Sequence, residues 1–523
     1  MPIKSRWEEE LPNCSLQQWI FGSPSAPLPD RKAFLDADRP DTHFVTFSEY
    51  RLLAKRIALG LQAAGLKRGE RVLLFSGNSL YFPSVFLGVL MAGGVFTGAN
   101  PGFVARTRDA AARRQQGHPS LDGAAGAGGR GRGLQLGRTR GQPHDDVLPQ
   151  LLVRNDGRAQ RCRDFALQLR SNGAGVIKVT KLAPDYTTAV KRHVGLCFLP
   201  MYHAYAQTYF VANFASQGVP VYVMPSFDFV KMLTHIQRFR VTHLVAVPPV
   251  LVALTKHPVA KTFDLSSLEN VGCGAAPLAA ETAAETTRVL GKPDLLVRQG
   301  WGMTEVTCTA MTWDPTRLDR TTSAVGEIMP NFSAKLVGAD GVEVTKARTP
   351  GELLIAGPGV MRGYWRNPKA TAETFAVDAD GTRWLRTGDV AYVDSYGPGG
   401  LFFIVDRIKE LIKVKGNQVA PAELEALLLE RTDVADVAVV GVTIEGEEMP
   451  RAYIVRTPGS ETSGEEIATW LEKKVSRHKR LRGGVAFTDV IPKNPSGKIL
   501  RKILREKAKQ EVGDRDPATS KLS

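Results

Sequence analysis

The chain has no run of about 18 apolar residues, so no membrane-spanning helix is expected. Its first ten residues lack the apolar core of a secretory signal. Cysteine is scarce. Cys14, Cys162, Cys197, Cys273 and Cys308 are scattered without metal-ligand spacing, and an odd, sparse set fits free thiols in a reducing compartment. One stretch lacks far more. Between residues 104 and 170 there is no lysine, glutamate, isoleucine, tyrosine, tryptophan or methionine. Such a composition cannot build an ordinary core. The same stretch holds 13 arginines against six aspartates, and so carries nearly half of the formal charge of +15. Residues 123–133 are low-complexity Gly, Ala and Arg. A chain this basic invites a nucleic-acid reading. The Arg/Gly stretch offers only Phe165 as a base-stacking platform, so no nucleic-acid partner is expected.

Outside that stretch the patterns are regular, and 523 residues suffice for two or three domains. Ser48 is placed to cap a helix with Tyr50, Leu53, Ile57 and Leu61 on one face, ended by Gly65. A buried strand is predicted over residues 72–75, a helix over 80–92 and a strand over 95–97. Periodicity vanishes from 104 and returns near Ser171, after which 194–199, 219–224 and 241–247 read as buried strands among helices. Strands alternating with helices imply a largely parallel sheet. Beyond Leu401-Phe402-Phe403-Ile404-Val405 a charged junction leads to a compact α+β pattern, with a helix starting at Pro421 and a strand at 437–440. A domain boundary is expected at 407–409.

Four clusters carry chemistry. In Gln299-Gly300-Trp301-Gly302-Met303-Thr304-Glu305, glycines flanking an aromatic let backbone approach a flat ring, Thr304 can donate to a phosphate and Glu305 can hold magnesium. In Arg386-Thr387-Gly388-Asp389 a carboxylate on a glycine turn suits a ribose diol. Asp406 and Arg407 precede Lys409, Lys413, Lys415 and Gly416, a run that alone would read as a solvated basic face. Pro495-Ser496-Gly497-Lys498 puts a lysine on a short turn able to reach into a site from another domain.

In this order, and with Met201-Tyr202-His203-Ala204-Tyr205, Gly274-Ala275-Ala276-Pro277, Gly363-Tyr364-Trp365 and the whole of 406–425, the chain resembles the adenylate-forming superfamily. It is most similar to the 4-coumarate–CoA ligase and firefly-luciferase-like branch of acyl-CoA synthetases. The resemblance implies an α/β fold. A large N-terminal adenylation domain of mixed and parallel sheets packed with helices (1–405) would be joined by a hinge (406–410) to a small mobile α+β domain (411–513) and a tail (514–523). It implies ATP, CoA and Mg2+ as cofactors and a carboxylic acid as substrate, activated to acyl-AMP and passed to CoA. By position, Ala275, Gln299, Gly300, Trp301 and Thr304 would line the adenylate and acyl site. Glu305 would serve the metal, while Asp389 and Arg407 would hold the ribose. Lys498 would stabilise charge during adenylation. Lys409 would be the hinge; Lys413, Lys415 and Gly416 would act in thioester formation. His203 would stand at the acyl pocket, its other reading being a core-facing aromatic cluster. Small residues (Ala204, Ala206, Ala275, Ala276) leave room for an aryl-propenoic or medium-chain acid.

The chain departs from the family at one diagnostic place. The Ser-Ser-Gly-Thr-Thr-Gly-x-Pro-Lys-Gly loop, whose N–H groups and lysine cradle phosphates, is absent upstream of His203. Residues 151–163 stand there instead, Leu-Leu-Val-Arg-Asn-Asp-Gly-Arg-Ala-Gln-Arg-Cys-Arg. Written with legal codons and read one nucleotide on, they become Cys-Ser-Ser-Gly-Thr-Thr-Gly-Val-Pro-Lys-Gly-Val, the missing loop. Residues 109–123 shift likewise into Ala-Gly-Ser-Arg-Ala-Thr-Arg-Leu-Leu-Met-Val. Residues 105–170 are therefore read as an aberrant, disordered, out-of-frame segment, and poor folding and negligible ATP–pyrophosphate exchange are expected of the chain as written. Two other readings stay open: a non-catalytic degenerate paralogue, and an adenylation enzyme loading a carrier protein. Monomer and homodimer are both compatible. The chain ends Ser520-Lys521-Leu522-Ser523, and a peroxisomal address is read only at the extreme end. A cytoplasmic location is expected, with the peroxisome as the alternative.

Overall fold

The alternation read from the sequence closes into a seven-stranded sheet. Its order is Val297–Gln299, Asn270–Cys273, His243–Ala246, Gly195–Cys197, Val221–Val223, Lys32–Asp36 and Phe44–Thr46. Every neighbouring pair is parallel except the last. The computed structural model describes residues 2–28, 30–99, 136–138, 160–317, 322–444, 446–494 and 497–512. A smaller sheet pairs Arg71–Phe75 in parallel with Val95–Ala99 and antiparallel with Leu136–Arg138. Asn78 ties it to the central strands. Its Nδ2 donates to the carbonyls of Leu199 and Met224 (3.0 and 3.1 Å), and its Oδ1 accepts from the Met201 N–H at 2.8 Å. A second seven-stranded, antiparallel sheet is built from the N-terminal Ile3–Lys4 and six strands between Ser333 and Arg407.

The predicted elements differ from those observed in instructive ways. The helix over Phe47–Ala63 is capped by Thr46 rather than Ser48, because Thr46 and Glu49 form a reciprocal capping box. In Arg71–Phe75 only Val72 and Leu74 are buried, so this strand alternates instead of being covered on both faces. The helix Gln160–Thr180 begins well before Ser171. Leu169 and Asn172 are buried in it, and Gln168 Nε2 donates to the Val360 carbonyl at 2.8 Å. The rest of the segment expected to be aberrant, residues 105–135 and 139–159, lies outside the described residues, as does the terminal Ser-Lys-Leu-Ser.

Past the charged junction, Val434–Ile444 and Glu447–Arg456 form a long hairpin, with Val485–Phe487 parallel to its second strand. Helix Pro421–Leu429 packs on the hairpin. Asp406 opens that helix by accepting from the Ala422 N–H at 3.1 Å. Glu425 is buried on the same helix. Its two oxygens receive Arg501 Nη2 at 2.7 Å each, and Oε1 also accepts from the Val439 N–H. Glu425→Ala strands a buried guanidinium, which costs about 3–5 kcal/mol when one partner of such a pair is removed. Urea unfolding of Glu425→Ala is expected to show this loss, with a smaller one in a Glu425→Met/Arg501→Met pair; equal losses would contradict the pairing argument.

Candidate active site

The C-terminal ends of the parallel strands meet the three-stranded sheet Trp301–Met303, Cys308–Thr312 and Glu327–Ile328. A cavity of about 410 Å3 opens between them, lined at its mouth by His203, Ala204, Ala275, Gln299, Gly300, Trp301, Thr304, Glu305, Arg407 and Lys498. Strands Val297–Gln299, Trp301–Met303 and Phe402–Arg407, the segments beside them and the turn that carries Lys498 thus bring residues from over 290 positions of sequence to one place.

Lys498 enters from the small domain. Its turn is set by Asn494, whose Oδ1 accepts from the Lys498 N–H at 2.9 Å and whose carbonyl accepts from the Gly497 N–H. Gly497 has φ +81°, and a Cβ there would stand 3.0 Å from Val247 of the large domain. Glycine therefore serves both the turn and the docking. Burial and the Arg407 charge push the Lys498 ammonium down to about 8, opposed in part by Asp389. Lys256 fastens the same arrangement from the other side, donating to the carbonyls of Leu429 and Arg431 (2.9 and 3.2 Å) past the end of helix Pro421–Leu429.

Asp389 is buried behind Trp301, whose indole N–H donates to Oδ2 at 2.9 Å. Arg407 Nε lies 3.1 Å from the other oxygen, Oδ1, but is not aligned as a hydrogen bond, leaving Oδ1 buried with no hydrogen-bond donor. A carboxylate in this state fits a ribose hydroxyl. Glu305 accepts from the Tyr364 hydroxyl at 3.0 Å, which orients its carboxylate. Among the described residues no group of three metal-binding side chains occurs. A single carboxylate is nevertheless what magnesium uses when phosphates supply the other ligands. His203 accepts the Tyr205 N–H at Nδ1 (3.2 Å), so its proton sits on Nε2. Burial and the Lys498 charge lower it below 6.5, keeping it neutral near pH 7.

The turn around Trp301 is tight for a steric reason. A Cβ on Gly302 would overlap the Cys308 carbonyl, at 1.4 Å. Ala275, Thr307 and Cys308 adopt positive φ (73°, 58° and 92°), strain gathered at one site. Gly302→Ala is expected to lose at least the ~1–3 kcal/mol of an overpacked core. A urea midpoint equal to that of the unaltered chain would contradict this.

The structure does not bring every expected residue here. Lys413 and Lys415 are exposed on the small domain, where Lys415 Nζ pairs with Glu447 at 3.2 Å and the Lys413 N–H donates to Glu448. Gly416 follows in the same turn at φ +80°. None of the three lines the cavity. Lys409 is off the wall as well, though its charge reaches Lys498. Ala206 is buried and, with Ala276, lies outside the lining. Asn494 and Lys256 have no motif of their own and show their roles only through contacts, and the part the Tyr364 hydroxyl plays likewise shows only in its bond to Glu305.

The chain matches the family described as AMP-binding enzyme over residues 25–114 and 170–365, and its C-terminal domain over 423–498. It belongs to that family. Phenylacetyl-CoA ligase epaB of Aspergillus niger is 32% identical over 96% of this chain and 98% of its own length. 4-coumarate–CoA ligase 5 of Oryza sativa subsp. japonica is 35% identical over 91% and 92%. The ATP-bound structure of MatB from Rhodopseudomonas palustris shares the fold, with TM-score 0.74 and 24% identity over 95% of this chain and 99% of that one. The relatives are AMP-forming acyl-CoA ligases, and the chain is an acid–thiol ligase by family.

Proposed function

We propose that the protein activates an aryl-propenoic or medium-chain carboxylic acid as its adenylate and transfers the acyl group to CoA, and that the chain as written is impaired in the first half. The supporting observation is the meeting of Lys498, from the small domain, with Thr304, Glu305 and Trp301 in one cavity. ATP supplies the electrophilic phosphorus when bound. Asp389 and Arg407 hold its ribose, Thr304 and Glu305 face its phosphates and magnesium, and Lys498 offsets the charge that grows as the carboxylate attacks. His203, neutral and donating from Nε2, stands beside the acyl group. Lys413, Lys415 and Gly416 reach the site only when the small domain turns about Lys409. That turn must break the Lys256 contacts.

The impairment rests on the sequence between the two matched blocks of the family. Residues 115–169 are left unmatched, and they make up most of the 105–170 segment read as out of frame, whose first residues, to 114, fall inside the first matched block. Carried on from 163 to 170, the same shift reads Glu-Thr-Ser-His-Ser-Asn-Phe-Val. It keeps an amide at the buried position of Gln168 and an apolar residue at that of Leu169. Among the described residues no helix is long and apolar enough to cross a membrane.

Supplying synthetic cinnamoyl-AMP or octanoyl-AMP with CoA tests the second half on its own. Thioester release is expected from the chain as written. No thioester from either adenylate, in protein that is folded, would overturn the ligase reading.

A further inference from the structure

Beyond the adenylate mouth the cavity continues along one face of the parallel sheet. The strand register sets His243 beside Asn270, and Val245 beside Gly272 beside Arg298. All five line the cavity. Their neighbours in sequence (Leu244, Val271, Val297) are buried in the core. Gly272 leaves open space next to Arg298, since a Cβ built on it would meet nothing within 4 Å. The facing wall holds Tyr209, Asn213, Phe214 and Trp313.

This far end is rich in unpaired polar groups. Arg298 Nη1 donates to Asn270 Oδ1 at 3.1 Å, while its Nε is buried with no partner. Trp313 Nε1 and both amide atoms of Asn213 are buried and unpartnered too, in side chains 4% and 1% exposed. Among the described residues Arg298 has no carboxylate of its own, and Glu305, at the mouth, is the only acid that lines the cavity. Asp314 acts on Arg298 at longer range, but its oxygens already receive Arg6, the Thr316 N–H and the Thr316 hydroxyl at 2.5–2.8 Å. The His193 and His243 rings pack against each other at a tilt of 59°, with centroids 4.0 Å apart, and burial lowers both below 6.5. Among the described residues Arg298 is thus the one fixed charge on this stretch of the cavity, which Asn213, Asn270 and Trp313 also line.

We propose that the acid substrate carries a second carboxylate at the end remote from the one activated, received by Arg298 with Trp313 and Asn213. This rests on the ligase reading above. A buried guanidinium left unpaired costs free energy, and a carboxylate satisfies it with charge-assisted hydrogen bonds. A neutral aryl or alkyl acid leaves the donors Arg298 Nε, Trp313 Nε1 and Asn213 Nδ2 without partners.

The test uses two unreactive acyl-adenylate analogues, cinnamoyl- and 4-carboxycinnamoyl-sulfamoyl adenosine, titrated into the full chain by calorimetry. The carboxylated analogue is expected to bind about 10–100-fold more tightly, the range of a hydrogen-bonded charged group. Arg298→Gln should bring the two to near parity and Arg298→Lys should retain part of the preference, with unfolding midpoints measured for both. Equal affinities in the unaltered chain, or a preference that survives in folded Arg298→Gln, would overturn the proposal and leave the ligase reading standing. Binding of neither analogue would instead overturn the ligase reading, and this proposal with it.

Discussion

Restoring the shifted frame across residues 105–170 is expected to raise ATP–pyrophosphate exchange by at least about a thousandfold. Removing one preorganised donor to developing charge costs about 10²–10³ in rate, and a phosphate cradle comprises several N–H donors and a lysine. The present chain has Leu151-Leu152-Val153-Arg154-Asn155-Asp156-Gly157 where that cradle belongs. The other residues proposed for adenylation, Lys498, Arg407, Thr304 and Glu305, share one cavity, with Asp389 bonded behind Trp301. Exchange assays on the two proteins side by side, each checked for folding, measure the difference. Comparable rates would mean that the loop is dispensable or that its place is taken by other residues.

In the frame-restored protein, Lys498→Ala is expected to lower exchange by about 10²–10³-fold while leaving CoA transfer from synthetic acyl-AMP within a few-fold. The asymmetry follows from position. Lys498 lines the cavity in the observed arrangement, which leaves Lys413, Lys415 and Gly416 off its wall. The pH dependence has a definite sign. With its ammonium depressed to about 8, Lys498 is charged below that pH and loses the proton above it. Exchange should therefore fall toward tenfold per pH unit above about 8, while acyl-AMP turnover does not follow it. Parallel losses in both half-reactions would contradict a role confined to adenylation.

Much of this was legible because the motifs are local and their chemistry is stated by residue type. Asp389, Trp301, Thr304, Glu305, Arg407 and Lys498 were all readable, and they converge. The helix at Pro421 was readable too, since proline suits the first helical turn. What sequence did not yield depends on register and long-range contact. The cap at Thr46 rather than Ser48 turns on which hydroxyl meets a glutamate three residues on. Tyr364 orients Glu305 across 59 positions, and Lys256 meets carbonyls about 175 positions away. Arg298 is one residue from a motif, yet its place at the far end of the cavity follows only from its register with Gly272. The basic run at 413–416, expected to act in thioester formation, stands outside the cavity here, on the hairpin Ile412–Val414 and Asn417–Val419.

The most direct test of the account is the nucleotide sequence of the transcript and the genomic DNA over the codons for residues 105–170. Read one nucleotide on from the codon for Leu151, both are predicted to encode Ser-Ser-Gly-Thr-Thr-Gly followed by Pro-Lys-Gly. A shifted frame that meets a stop or spells unrelated residues there would contradict it.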